Sequence, residues 1–119
     1  MLPERRKYER HKNGDYMRVT DNNTEEIIGY ITEISMGGFR LETPKALLVE
    51  KDYILRLEYA IDEKGKRYIV LVARAKWSQP DPITPYEYIL GFQIVNIAPS
   101  EQEIYQSIVD NYGQSKSQW

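Results

Sequence analysis

Two groups of residues in this 119-residue chain are of types that could do chemistry. The first is a cluster of cations near the N-terminus, Arg5, Arg6, Lys7 and Arg10 within "ERRKYERH". A guanidinium is a planar fork that donates two parallel hydrogen bonds. It matches a phosphate or the O6 and N7 acceptors of a guanine, and its flat face can lie on a purine at the same time. The second group is "TEISMGGFRL", residues 32–41. In an extended chain Glu33 and Ser35 project from one face and Ile34 from the other. A carboxylate and a hydroxyl then stand side by side on the outer surface while the isoleucine enters the core. Gly37 and Gly38 follow. Such a pair inside a strand-like pattern marks a bulge, a turn with positive φ, or a place where something approaches the backbone closely. Polar residues on a strand are by themselves what any solvent-facing surface carries; their combination with the cations is what asks for a ligand.

Charge distribution narrows that ligand. The first twelve residues hold five basic and two acidic side chains, a balance of +3, and the rest of the chain holds eleven and sixteen, a balance of −5. Long nucleic acid is usually met by a basic face over a whole domain. A positive segment on an acidic body suits a small anion better. The absence of cysteine removes disulfides, thiolate nucleophiles and sulfur-ligated metals, and one histidine, His11, cannot build a metal cage. The acidic residues show no spacing of a metal site or a glycosidase pair, and Ser35 lies in no nucleophile-elbow pattern. No catalytic residue, metal or cofactor is expected, and the chain does not read as an enzyme.

The elements that must position these residues read as strands, followed by one helix. Residues 15–20 alternate loosely; "IIGYITEI" (27–34) and "FRLET" (39–43) flank the glycines; "YILRLEY" (53–59) and "RYIVLVARAKW" (67–77) read as a hairpin around "DEKGK". Tyr53, Leu55, Leu57 and Tyr59 fall on one face, with Arg56 and Glu58 on the other. "YEYILGFQIVNI" (86–97) is the last strand. Ser100 and Glu103 have the spacing of a capping box, and Ile104, Tyr105, Ile108, Val109 and Tyr112 recur at helical intervals up to Gly113, which can end the helix. The fold class is therefore all-β with one C-terminal helix, a small antiparallel barrel of six or seven strands. The chain divides into a flexible basic arm (1–14), the barrel with its helix (15–113) and a mobile tail (114–119). Tyr53, Tyr59, Tyr86 and Tyr88 are assigned to core and barrel surface, and Trp77 is expected to pack. No run is long and apolar enough for a membrane span, and no cleavable leader pattern follows the basic residues, so a cytoplasmic protein is expected.

Arg6 and Arg10 are four apart, and Glu33-Ile34-Ser35-Met36-Gly37-Gly38 follows Arg10 after 23 positions. In this order, and with "ARAKW" and "YILGFQIVNI" later in the chain, the sequence resembles the PilZ domain family of cyclic di-GMP receptors. That family pairs RxxxR on an N-terminal arm with D/NxSxxG on a barrel strand. The resemblance implies that Arg6 and Arg10 grip guanine and phosphate, with Arg5 adding charge. It implies that Glu33 and Ser35 meet the guanine N1 and N2 donors, that Gly38 lets ligand or arm come close, and that Arg40 faces the same surface. Glu33 departs from the family's aspartate or asparagine by one methylene, a displacement that costs a placed hydrogen bond on the order of 1 kcal/mol.

The resemblance implies cyclic di-GMP and a downstream protein as partners. It leaves room for a homodimer and gives no expectation of DNA, RNA or membrane insertion. Two other readings stay open: a protein-interaction adaptor in the same barrel with a lapsed nucleotide site, and a single-stranded RNA binder on an OB-like barrel.

Overall fold

The computed structural model describes residues 17–62 and 65–117. Among them Ile28, Ile31 and Ile34 are spaced by three, a helical interval, yet all three are buried in one core built by strands. Two bulges reconcile the spacing with a period of two. Strand β2 (Ile27–Ser35) pairs antiparallel with β1 (Arg18–Asp21) and with β3 (Gly38–Thr43). Against β1, Val19 faces Gly29 and Thr20 faces Ile27, so Ile28 is an extra residue. Against β3, Ile31 faces Leu41 and Glu33 faces Arg40, so Thr32 is extra. Each insertion shifts the phase of the strand and sharpens its twist. Ile31 and Ile34 can then both point inward while Glu33 and Ser35 are exposed.

The remaining strands are β4 (Lys51–Asp62), β5 (Gly65–Pro80) and β6 (Tyr88–Ile97), and all pairs are antiparallel. Their order, β1-β2-β3-β6-β5-β4, closes back on β1 as a barrel. Closure removes the open edges that would otherwise template aggregation. The β4–β5 hairpin and the all-β class with one terminal helix agree with the sequence reading, and the strand number is six. Val19, Ile31, Leu41, Leu55, Leu57 and Ile69 are fully buried inside, each worth roughly 1.5–3 kcal/mol in removed apolar surface. At the closing seam, Arg18 pairs with Glu58 at 2.6 Å and Thr20 Oγ1 donates to the same carboxylate at 2.9 Å. Glu58 therefore lies on the outer face, as its alternation requires, and is buried there with its charge matched.

Helix α1 (Pro99–Ser117) packs against β2 and β5. It does not start as a capping box at Ser100. Pro99 occupies the first helical position, where its fixed φ fits and its missing N–H is no loss, and the Glu101 amide donates to Ala98 O at 2.9 Å. Nor does it stop at Gly113; the helix continues to Ser117. The expected apolar face is present: Tyr105 and Ile108 are buried, and Ile104 and Val109 pack against the core. No described helix is long and apolar enough to cross a membrane.

The helix is also bonded to the sheet. Strand β6 pairs with β5 only as far as Leu71 opposite Ile97. The next amide on β5, that of Val70, donates instead to Glu101 Oε1 at 2.8 Å. A carboxylate on the first turn of α1 thus takes over where the strand ladder ends, and its charge also suits the positive end of the helix. Removing it leaves a half-buried amide unpaired. Glu101→Ala should lower unfolding free energy by about 1–2 kcal/mol, measured by urea denaturation, with the denaturant slope unchanged.

Candidate functional site

Strand register assembles the site. Glu33 faces Arg40 across β2–β3, Arg40 faces Gly91 across β3–β6, and Gly91 faces Trp77 across β6–β5. These four residues form one row across four strands on the outer surface. The neighbouring row runs Ser35, Gly38, Gln93, Arg74. Between the Glu33–Ser35 side and the Lys76–Trp77 side lies an open groove of about 310 Å³, with Gly37, Gly38, Gly91 and Gln93 among its lining residues.

Gly91 is what lets Trp77 lie across this floor. A Cβ there would come within 2.3 Å of the indole Nε1 and Cε2. Trp77 packs, as the sequence suggested, but it does so on the outer face against Gly91. It is 37% exposed on the outer face, and the Arg40 guanidinium sits over its ring at 5.5 Å, within cation–π range. Arg40 also reaches Glu33 at 3.5 Å, both side chains being about half exposed. In that setting the ion pair contributes at most about 1 kcal/mol. It holds the guanidinium between a carboxylate and an aromatic face without locking it there. On the far side, Arg74 is paired with Asp52 at 2.7 Å and Lys76 with Glu50 at 3.2 Å. The Arg74 bond draws the Asp52 carboxyl below its ordinary range.

The turn between β2 and β3 is held from beneath. Its two residues are Met36 and Gly37, and neither lies in the left-handed region of φ. The tight hairpin turns whose twist matches that of the strands need positive φ at the first of these positions, so this turn must be fixed by other bonds. Tyr105, 1% exposed, supplies one: its hydroxyl donates to Ser35 O at 2.5 Å and lies 3.3 Å from Gly38 O. The Ile94 amide supplies another, to Gly37 O at 3.0 Å. The Ser35 hydroxyl points to Gly38 O at 3.4 Å, a long contact that leaves it open to a better acceptor or donor.

Gly38 is needed first by the sheet. A Cβ on it would meet the Phe92 carbonyl oxygen at 2.0 Å, whereas a Cβ on Gly37 would meet nothing within 4 Å. The glycine pair is therefore a close backbone approach, one of the readings its sequence allowed, and the constraint falls on its second member.

The comparisons with known proteins agree with this fold. A profile of the PilZ domain matches residues 4–111. The chain belongs to the PilZ domain family. No curated protein sequence matches it. Among solved structures, the PilZ domain of YcgR from Escherichia coli, with c-di-GMP, is similar at 15% identity and a TM-score of 0.58, with 87% of each chain covered. The Bacillus subtilis inhibitor of motility MotI/DgrA gives 18% identity and 0.63, covering 83% of this chain and 47% of that one. Borreliella burgdorferi PlzA in complex with c-di-GMP gives 12% and 0.55, covering 87% and 46%. At these identities the likeness is one of fold, and this PilZ chain spans about half the length of MotI and PlzA.

Of the residues singled out in the sequence, Glu33, Ser35, Gly38 and Arg40 all line the groove. Arg5, Arg6, Arg10 and His11 lie outside the described residues. Three contributors were not foreseen: Trp77 as an outer wall, Gly91 as the space it needs, and Tyr105 as the support of the turn. A glycine inside the apolar run "YILGFQIV" was the available signal for the second. Elsewhere, Glu42, Asp81 and Glu87 bring carboxylate oxygens within 4.8 Å of one another. Asp81 Oδ1 there accepts the Ile83 and Thr84 amides at 2.8 and 3.2 Å, which shapes the β5–β6 loop.

Two measurements check this account. Gly38→Ala should cost about 2 kcal/mol or more, because β3 and β6 must separate, whereas Gly37→Ala should change stability by less than about 0.5 kcal/mol. Burial pushes the Tyr105 phenol above the usual tyrosine range. The folded chain therefore keeps a proton that the unfolded chain releases near pH 10, so this contribution is complete below that pH and declines as pH rises above it. Between pH 9.5 and 11, wild type should lose stability more steeply than Tyr105→Phe, by up to about 1.4 kcal/mol per pH unit.

Proposed function

We propose that this chain is a cyclic di-GMP receptor, in which the dinucleotide lies in the outer groove and the N-terminal arginines close over it. Arg6 and Arg10 engage guanine and phosphate, Glu33 and Ser35 accept from the guanine N1 and N2 donors, and Arg5 and Arg40 add contacts. The dinucleotide's second base has an aromatic face available at Trp77 once Arg40 swings toward phosphate. Binding then changes the surface offered to a downstream protein. The chain acts here as a receptor and not as an enzyme.

The observation that carries this reading is where the N-terminal segment joins the barrel. Met17 O accepts the Ile31 amide at 2.9 Å, two residues before Glu33. Arg10 precedes Met17 by seven residues and Arg6 by eleven, and an extended chain spans at most about 3.5 Å per residue. That length supports a reach of both arginines to the groove, from a residue bonded to the strand that carries Glu33 and Ser35. The PilZ match beginning at residue 4 includes both, and YcgR and PlzA have been solved with c-di-GMP.

Calorimetry with cyclic di-GMP tests it directly. Wild type should show saturable binding, Arg6→Ala and Arg10→Ala should each weaken it by at least about tenfold, and Ser35→Ala by severalfold, all with unchanged melting. Unaltered affinity in both arginine variants would remove the N-terminal segment from the site. No saturable heat from wild type at high micromolar ligand would turn the reading toward a protein-interaction adaptor.

A further inference from the structure

The β2–β3 turn that carries the groove's polar edge is held on its inner side by one side chain from α1. That arrangement has a thermodynamic consequence. We propose that Tyr105 is a positioning residue for the nucleotide site and the link through which occupation of the groove is felt by α1. The inference rests on the functional reading above and extends it to regulation of the same site.

Met36 and Gly37 do not supply the left-handed conformations that would make a two-residue hairpin self-sufficient. Its carbonyls are instead tied to Tyr105 (Ser35 O and Gly38 O) and to Ile94 (Gly37 O). The Ile94 bond belongs to the sheet and stays with it. The Tyr105 bond comes from a separate element, a helix packed against β2 and β5. The outer partners of these same backbone groups are the Ser35 side chain and the open surface at Gly37. A ligand pulling on Ser35 from outside and a hydroxyl holding its carbonyl from inside therefore act on one peptide unit.

Coupling of this kind is reciprocal. If the seated helix favours the turn geometry that binds ligand, then ligand favours the seated helix by the same factor. Val70 to Glu101 is a second tether of α1 to the barrel among the described residues. The helix is thus bonded at its first turn and again one turn later, and the second bond ends on the site.

The test uses Tyr105→Phe, which keeps the ring and removes only the hydroxyl, with amide hydrogen exchange and calorimetry on the full chain. Without ligand, exchange in Met36–Gly38 should be faster in the variant than in wild type. With cyclic di-GMP, wild type should slow exchange across 101–109; the variant should bind about tenfold more weakly and, when saturated, show little of that slowing. A purely structural tyrosine would lower the melting temperature but leave the ligand-induced protection of α1 intact. Wild-type binding without any change in α1, or a variant with wild-type affinity and helix response, would overturn the coupling while the receptor function stands. A wild-type chain that does not bind overturns the receptor function. The positioning role is then decided without ligand, and equal exchange at Met36–Gly38 in both proteins refutes it.

Discussion

The outer groove depends on β2 changing phase at Thr32. With strict alternation from Ile31, residues 33 and 35 would share its face and enter the core. A buried carboxylate at 33 would then need a charged partner inside the barrel, and the hydroxyl at 35 would be lost to solvent. The inserted residue turns both outward while Ile34 replaces them inside. It also moves the register by one, so that Glu33 instead of Thr32 stands opposite Arg40 and starts the row that ends at Trp77. The earlier bulge at Ile28 does the same for the first half of the strand. The isoleucines at 28, 31 and 34 record both events in the sequence.

That record could be read only in part. The β4–β5 hairpin, the outward pair at 33 and 35, and the apolar face of the terminal helix follow from periodicity within one segment, and each is where it was expected. Bulges are a property of two strands. Whether Thr32 is extra depends on how many residues β3 places opposite it, and no single-segment pattern contains that count. The helix start is a case of competing local signals. Ser100 with Glu103 fits a capping box, but Pro99 just before it already has helical φ, so the helix begins two residues earlier than that box would start it, with Glu101 in its first turn bonded to β5. Gly113 was read as a stop, yet a glycine inside a helix costs only about 1 kcal/mol, and the helix continues past it.

The far wall of the site was hidden for a different reason. Trp77 and Gly91 belong to strands whose own patterns look complete without a ligand, and only the register of β5 on β6 sets one on the other. An aromatic residue next to a run of small apolar ones reads as a packing residue and not as the wall of a site. The glycine reads as a weak point in a strand. Together they are a flat aromatic surface with the space needed to lie down, and the clash distance at Gly91 shows that the indole could not lie there over any residue with a Cβ. Tyr105 is similar. Its helical spacing marked it as an apolar-face residue, and that is correct for the ring; the hydroxyl's partners lie nearly seventy positions away in sequence.

Charge distribution explains why such a site would be divided between barrel and N-terminal segment. Around the groove, Glu33 offsets Arg40, Asp52 offsets Arg74 and Glu50 offsets Lys76. The barrel surface thus offers hydrogen-bonding groups and an aromatic face, with little net charge to attract an anion. The residues after the first twelve carry a balance of −5, and the first twelve carry +3. On the proposed function the phosphates must be met mainly by that segment, while the barrel discriminates the base. The division has a kinetic logic. An acidic body repels dianions at long range, more so at low salt, so on that proposal productive encounter would depend on the N-terminal cations and not on the groove. On the same proposal, attachment at Met17, bonded to the strand that carries Glu33, would keep the local arginine concentration high and make closure intramolecular. A groove already rich in positive charge would bind anions without the segment. It would then lose the dependence on closure that lets occupancy alter the protein's outer surface.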